Sequence, residues 1–240
     1  MTCFSNDALA KFRLPLSLPD VREVHQFIGR ADELRQLHDI LSTNTRRRTA
    51  VVNGLGGIGK TQLTLAYCER HRTEYSSIIW LNARDESSLN QSFARVAKRI
   101  LRYDPSMTYI ATAVESQDTD GVIGAVKRWL DEPANDGWLL ICDNYDHPLT
   151  GMNTKRSRQT TIMDEHHLDE EVTGHHHQVV VKGFDLRLYL PETDHGAVII
   201  TSRLSVKMGR PVKVGKLLAV DDSLAILAST SGRDNIKLGR

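Results

Sequence analysis

Ala50-Val51-Val52-Asn53-Gly54-Leu55-Gly56-Gly57-Ile58-Gly59-Lys60-Thr61 decides how this chain reads. A short apolar run ends in a glycine-rich loop, and Lys-Thr opens a helix. The pattern is G-x-x-x-x-G-K-[ST], with Gly54, Gly59, Lys60 and Thr61 in the defining positions. Each residue type has a chemical reason. Glycines let the backbone turn tightly, so that consecutive N–H groups point at one phosphate. The helix N-terminus adds unpaired donors and its positive dipole end. Lys60 supplies a compact charge for the β- and γ-phosphates, and Thr61 offers a hydroxyl to Mg²⁺. A chance glycine-rich turn would lack the strand before it and the helix after it, and both are predicted here.

Working outward, the strand covers about 49–53 and follows three arginines, Arg46 to Arg48, which read as a solvated approach to it. The helix after the loop runs to about residue 72, with Leu63, Ala66 and Tyr67 as its buried face. Upstream, Phe27-Ile28-Gly29-Arg30 precedes a helix whose Leu34, Leu37, Ile40 and Leu41 share one face. A plain turn before a helix is the competing reading of Gly29-Arg30. Downstream, residues 77–81 (Ser-Ile-Ile-Trp-Leu) are a second strand of β-favouring residues. A helix over about 86–102 carries Leu89, Phe93, Val96 and Ile100 as an apolar stripe, which is core packing. Another, over about 120–130, is stopped by Pro133.

Residues 137–144 form the third strand, a continuous apolar run ending in Asp143-Asn144. Continuous runs suit a strand covered on both faces of a parallel sheet. A carboxylate at its carboxyl end lies on the edge where ligands bind. Asp143 is therefore the natural partner of Thr61 in holding Mg²⁺. The fourth strand is His195-Gly196-Ala197-Val198-Ile199-Ile200-Thr201-Ser202, and Arg203 follows it on the same edge, where a guanidinium reaches a γ-phosphate. Residues 184–191 read as a short helix stopped by Pro191. Val212-Lys213-Val214 reads as a fifth strand, and Asp221-Asp222-Ser223 as the cap of a last helix.

Composition narrows the class. The 240 residues are 40% hydrophobic and 25% charged, ordinary for a globular protein with a sizeable core. A net charge of +1 gives no reason to expect nucleic acid or an anionic membrane as partner. No apolar run approaches a transmembrane length, and the N-terminus lacks a signal-peptide core. Cys3, Cys68 and Cys142 are far apart and form no disulfide framework, which fits a reducing, cytoplasmic setting. Residues 1–24 read as an irregular lead-in and 237–240 as a tail. Residues 150–183 break the rhythm of strand and helix. They are mostly polar and carry His166, His167 and His175-His176-His177 at spacings poor for a folded metal site. We read this stretch as a flexible insertion that interrupts a nucleotide-binding unit spanning 25–236.

As an ordered set, these blocks resemble the nucleotide-binding part of NB-ARC proteins, in the STAND class of signalling NTPases, and most closely the NLR-like proteins of filamentous fungi. Phe27-Ile28-Gly29-Arg30 is similar to the motif beside the adenine, with Ala31 where a glutamate is usual. Gly54 through Gln62-Leu63 is similar to the family phosphate loop. Ile79-Trp80-Leu81-Asn82-Ala83, Trp138-Leu139-Leu140-Ile141-Cys142-Asp143-Asn144 and Ile199-Ile200-Thr201-Ser202-Arg203 resemble its second strand, its Walker B strand and its sensor strand. The stretch 212–233 resembles the end of the same subdomain. The likeness covers about 12–149 and 184–236. The family joins its Walker B strand to the Tyr-Leu-Pro stretch by a much shorter link than 150–183. Its Gly-Leu-Pro-Leu helical subdomain and its winged helix have no counterpart here.

The resemblance implies an α/β P-loop NTPase fold: three layers, α/β/α, around a mostly parallel five-stranded sheet. It implies binding of ADP or ATP with Mg²⁺. Nucleotide would contact Phe27, Ile28, Gly29, Arg30, Gly54, Leu55, Gly56, Gly57, Ile58, Gly59, Lys60, Thr61 and Gln62. Thr61 and Asp143 would hold the metal, and Lys60, Asp143 and Arg203 would sense phosphate. It further implies a switch between ADP-closed and ATP-open states, protein partners through other domains, and oligomerisation of a full-length form. Hydrolysis is expected to be slow at most. Asn144 stands where related ATPases carry a carboxylate, an amide cannot accept a proton, and Asp146 is the candidate substitute. Two other classes compete with this reading. A small-molecule or nucleotide kinase would need a lid, which only 150–183 could supply. A truncated, non-catalytic interaction protein would not need the loop.

Overall fold

The computed structural model describes residue 14 and residues 27–43, 47–149, 183–217 and 220–231. The rest of the lead-in, nearly all of the predicted insertion with its histidines, Arg46, and the tail lie outside the described residues. Among the described residues five strands form one sheet: β1 (Arg48–Asn53), β2 (Ser77–Asn82), β3 (Trp138–Asp143), β4 (Ala197–Ser202) and β5 (Arg210–Lys213). Their spatial order is β2-β3-β4-β1-β5, and every pairing is parallel, so the sheet is more uniform than the mostly parallel one expected.

Among the described residues the α-helices are α1 (Ala31–Leu41), α2 (Lys60–Arg70), α3 (Glu86–Tyr103), α4 (Thr108–Glu115), α5 (Thr119–Asp131) and α6 (Val220–Ser231). Parallel neighbours need a crossover. Helix α2 spans the one from β1 to β2, and α3, α4 and α5 the one from β2 to β3, whereas the described residues between β3 and β4 hold only a 3₁₀ turn and those between β4 and β5 no helix. Strand side chains alternate between two cores. Val51, Ile79, Leu81, Leu140, Cys142, Val198 and Ile200 face a layer containing α3, α4 and α5. Ala50, Val52, Ile78, Leu139, Ile141, Ala197 and Ile199 face the layer of α1 and α2. Burial on both faces is why β3 and β4 read as unbroken apolar runs.

Most predicted elements form close to their predicted bounds, and four differ. Helix α4 was not predicted. It is short, has no side-chain cap and buries only Ile110, so packing against α3 and α5 holds it rather than any local signal. The helix predicted over 184–191 is a single 3₁₀ turn, Leu186–Tyr189, because Asp185 caps it by accepting from Arg187 N–H and Pro191 follows at once. Strand β5 starts at Arg210 and includes Pro211, which an edge strand tolerates. Helix α6 starts at Val220, so Asp221-Asp222-Ser223 lie in its first turn instead of capping it.

Two joins bear on the irregular stretches. Leu14 is buried and its N–H donates to Ser77 Oγ (3.1 Å), beside the edge strand β2. Phe184 N–H donates to His147 O (3.1 Å) and Leu149 N–H to Phe184 O (3.0 Å). Residues 147–149 and 184, on either side of 150–182, are therefore hydrogen-bonded neighbours.

Candidate functional site

Strand order brings the chemistry together. Because β4 lies between β1 and β3, the carboxyl ends of all three strands converge on the N-terminus of α2. The loop 54–59 leaves β1 and turns into α2 through Gly59, whose φ of 97° lies in the left-handed region. At Gly54 a Cβ would sit 2.5 Å from the Val214 carbonyl oxygen, so only glycine lets β1 hand over to the loop against the end of β5. Gly54 N–H donates to Ser202 O (3.3 Å) and Val214 N–H to Asn53 O (2.8 Å), which anchors the base of the loop on both sides.

Lys60 Nζ donates to the carbonyls of Gly54 (3.0 Å) and Leu55 (2.9 Å). The ammonium is thus held inside the curve of the loop. Its pKa is lowered mainly by burial, with Arg203 adding to the effect while Asp146 and Asp143 oppose it. Thr61 Oγ1 donates to Asp143, 3.0 Å from Oδ1 and 3.2 Å from Oδ2. Residues 82 positions apart are thus brought into contact.

Asp143 is 3% exposed, and burial pushes its carboxyl above the usual carboxylate range. Hydrogen bonds from Thr201 and Thr61 work against that shift. Thr201, absent from the predicted site, contributes the closest of these contacts: its Oγ1 donates to Asp143 Oδ1 at 2.5 Å. The same oxygen accepts from Asn144 N–H (2.9 Å), and Asn144 turns the chain with φ 67°. Only the β3–β4 register could reveal that role, since Cys142 pairs with Ile200 and so sets Asp143 level with Thr201. Hydroxyl and carboxylate oxygens in this arrangement suit a hard cation such as Mg²⁺, and a buried carboxyl raised by desolvation gains from one.

Arg203 lies past β4 and is half exposed. Its N–H and Nε donate to the two oxygens of Asp146, each at 2.6 Å. Its Cδ comes within 3.7 Å of where a Cβ on Gly56 would sit, so the side chain lies alongside the loop. Asp146 is therefore engaged with Arg203, and the two predicted residues form one ion pair beside the loop.

The upstream segment reaches the loop from the other side. Arg30, itself in the left-handed region at φ 59°, is the N-cap residue of α1. Its guanidinium donates to Ile58 O (2.8 Å), Gly215 O (3.1 Å) and Glu33 (3.1 Å). It thereby ties the segment before α1 to the loop and to the chain after β5. Gly29 has φ 74°, and a Cβ there would lie 2.7 Å from an Asp222 carboxylate oxygen, so α6 packs close. Phe27 packs on the α1–α2 side of the core, with the Arg70 guanidinium 6.0 Å from its ring centroid. Ile28 is half buried beside it, Gly56 and Gly57 are exposed, Gln62 lies in the first turn of α2, and Leu55 is 71% exposed at the loop's outer side.

No known family model matches this chain. A nucleotide-binding leucine-rich repeat (NLR)-like protein of Hyaloscypha variabilis is 29% identical over 126 residues, which are 50% of this chain and 12% of that protein. Among solved structures, Cdc6p from Pyrobaculum aerophilum gives a TM-score of 0.49 at 11% identity, over 90% of this chain and 52% of that one. The parallel sheet in the order β2-β3-β4-β1-β5, with its glycine-rich loop between β1 and α2 and an aspartate ending β3, is the α/β fold of a P-loop NTPase.

Proposed function

We propose that this chain is a Mg²⁺-dependent ADP- and ATP-binding module of an NLR-like signalling NTPase. One observation carries the reading: the Thr61 hydroxyl lies 3.0 Å from the Asp143 carboxylate at the mouth of the phosphate loop, with Lys60 held inside that loop. The similarity to an NLR-like protein supports the signalling class, although the chain covers 12% of that protein. When bound, Mg²⁺ would neutralise phosphate charge between Thr61 and Asp143. Lys60 would exchange its two loop carbonyls for phosphate oxygens. Arg203 would move from Asp146 to a terminal phosphate, which makes its position report the nucleotide state. Phe27 to Arg30 would close the site on the base side. Asn144 cannot take a proton, so hydrolysis would be slow at most, with Asp146 the candidate base once Arg203 has left it. Partners and oligomerisation would arise through other parts of a longer protein.

Thermal unfolding with ADP or ATP, with and without Mg²⁺, tests the reading. Ligand at about 100-fold above Kd stabilises a competent site by about 2.7 kcal/mol. We expect that gain in the wild type, a smaller one without Mg²⁺, and none in Lys60→Ala. No shift with either nucleotide, or the same shift in Lys60→Ala, would overturn it.

A further inference from the structure

At the opposite end of α2 from the phosphate loop, three metal-ligating side chains converge. His38 comes from the last turn of α1, His71 caps the carboxyl end of α2, and Glu74 closes the 3₁₀ turn Arg72–Glu74. Their ligand atoms all lie within 4.8 Å of one another. His71 Nδ1 is 2.7 Å from Glu74 Oε1, and His38 Nδ1 is 4.0 Å from Oε2 of the same carboxylate. The two imidazoles are stacked, with centroids 4.3 Å apart and planes 16° from parallel.

An ordinary ion pair explains only part of this. His71 and Glu74 are three residues apart and would pair without help. His38 Nδ1 is buried and has no hydrogen-bond partner, which is costly for a polar atom. A cation between the two rings and the carboxylate would give that nitrogen a partner. We propose that His38, His71 and Glu74 form a binding site for a zinc-class divalent transition metal, which ties α1 to the carboxyl end of α2.

Donor chemistry selects the metal. Two imidazole nitrogens and one carboxylate oxygen are the ligands zinc takes, with water completing the tetrahedron. Mg²⁺ and Ca²⁺ prefer all-oxygen shells. The negative end of the α2 dipole also favours a cation here. Zinc–ligand bonds of about 2.0 Å set tetrahedral ligands about 3.3 Å apart, so the triad must draw in by up to ~1.5 Å and the stacked rings must tilt. The side chains have room to do so, being 37% (His38), 20% (His71) and 48% (Glu74) exposed. The site goes beyond the nucleotide reading and does not depend on it.

The test uses the full chain, stripped with a chelator and then titrated with Zn²⁺, read by thermal unfolding and calorimetry. The histidines at 166, 167 and 175–177 can also chelate zinc, so uptake alone decides nothing. The readout is the zinc-dependent rise in Tm and its midpoint concentration. We expect a rise in the wild type that chelator reverses. His38→Asn and Glu74→Gln should each raise the midpoint at least ~10-fold, since even losing a group behind a ligand costs that much. If His38→Asn does not fold, the half-exposed Glu74→Gln decides alone. Absence of a zinc-dependent rise in the wild type, or an unchanged midpoint in the variants, would overturn the proposal.

Discussion

Thr201→Val is the sharpest test of how the site is built. Thr201 is fully buried at the end of β4, and its hydroxyl links Asp143 Oδ1 to the Asn144 N–H. Valine is nearly the same shape, so no cavity opens and the loss is polar. A hydrogen bond to a charged group contributes about 1.5–3 kcal/mol. The orphaned Asn144 N–H adds little, because Asn144 is exposed and water can reach it. We expect a destabilisation of about 2–3 kcal/mol near neutral pH, or roughly 4–12 °C in Tm for a chain of this size. The loss should also depend on pH. Thr201's bond favours the ionised carboxyl and opposes the upward shift that burial causes. Removing it lifts the folded-state pKa of Asp143 further above the unfolded value of about 3.9. The variant then keeps the Asp143 proton to a higher pH than the wild type. The deficit is smallest below the wild-type folded pKa, grows between the two folded values and is constant above them. Urea melts from about pH 4 to about pH 8 would measure it. A deficit under ~0.5 kcal/mol, or one flat across that range, would refute the claim that Thr201 sustains the charge on Asp143.

Other outcomes follow from single contacts. At Gly196, φ is 76° and a Cβ would lie 2.4 Å from the buried Trp138 ring, so Gly196→Ala should cost about 2–5 kcal/mol in chemical denaturation, from left-handed strain plus overpacking. Asp85 caps α3 by accepting from Ser88 N–H at 2.7 Å, and that bond lowers its pKa. Asp85→Ala should cost about 1 kcal/mol at neutral pH. The cap's contribution is present above about pH 3.9 and fades as pH falls through the depressed folded value, so wild type and variant should converge in acid melts. Burial pushes the thiols of Cys68 and Cys142 up to about 12, so peptide mapping after alkylation at neutral pH should find both unmodified in the native protein and modified once unfolded. Labelling of either one in the native state would contradict their place in the core.

The sequence alone determined what depends on neighbours in the chain. Gly54 to Thr61 specify a phosphate loop because the turn, the helix start, the lysine and the hydroxyl lie within eight consecutive positions. Unbroken apolar runs marked β3 and β4 as central strands, and Asp143 at the end of β3 and Arg203 just past β4 were legible for that reason. What only the tertiary structure decided depends on strand order and register, which no local pattern encodes. Inserting β4 between β1 and β3 places Thr201 on Asp143 and closes Arg203 onto Asp146. Helix α4 exists because α3 and α5 give it a surface, and its uncapped, β-branched segment carried no signal of its own. Arg30 was read as a nucleotide contact, but that it bridges the loop and the chain after β5, across 28 and 185 positions, no local pattern shows. His38, His71 and Glu74 come from separate elements, and only the packing of α1 against α2 brings them to one place. Around the phosphate loop, then, local sequence chose the chemistry, and the parallel sheet chose which distant side chains tune it.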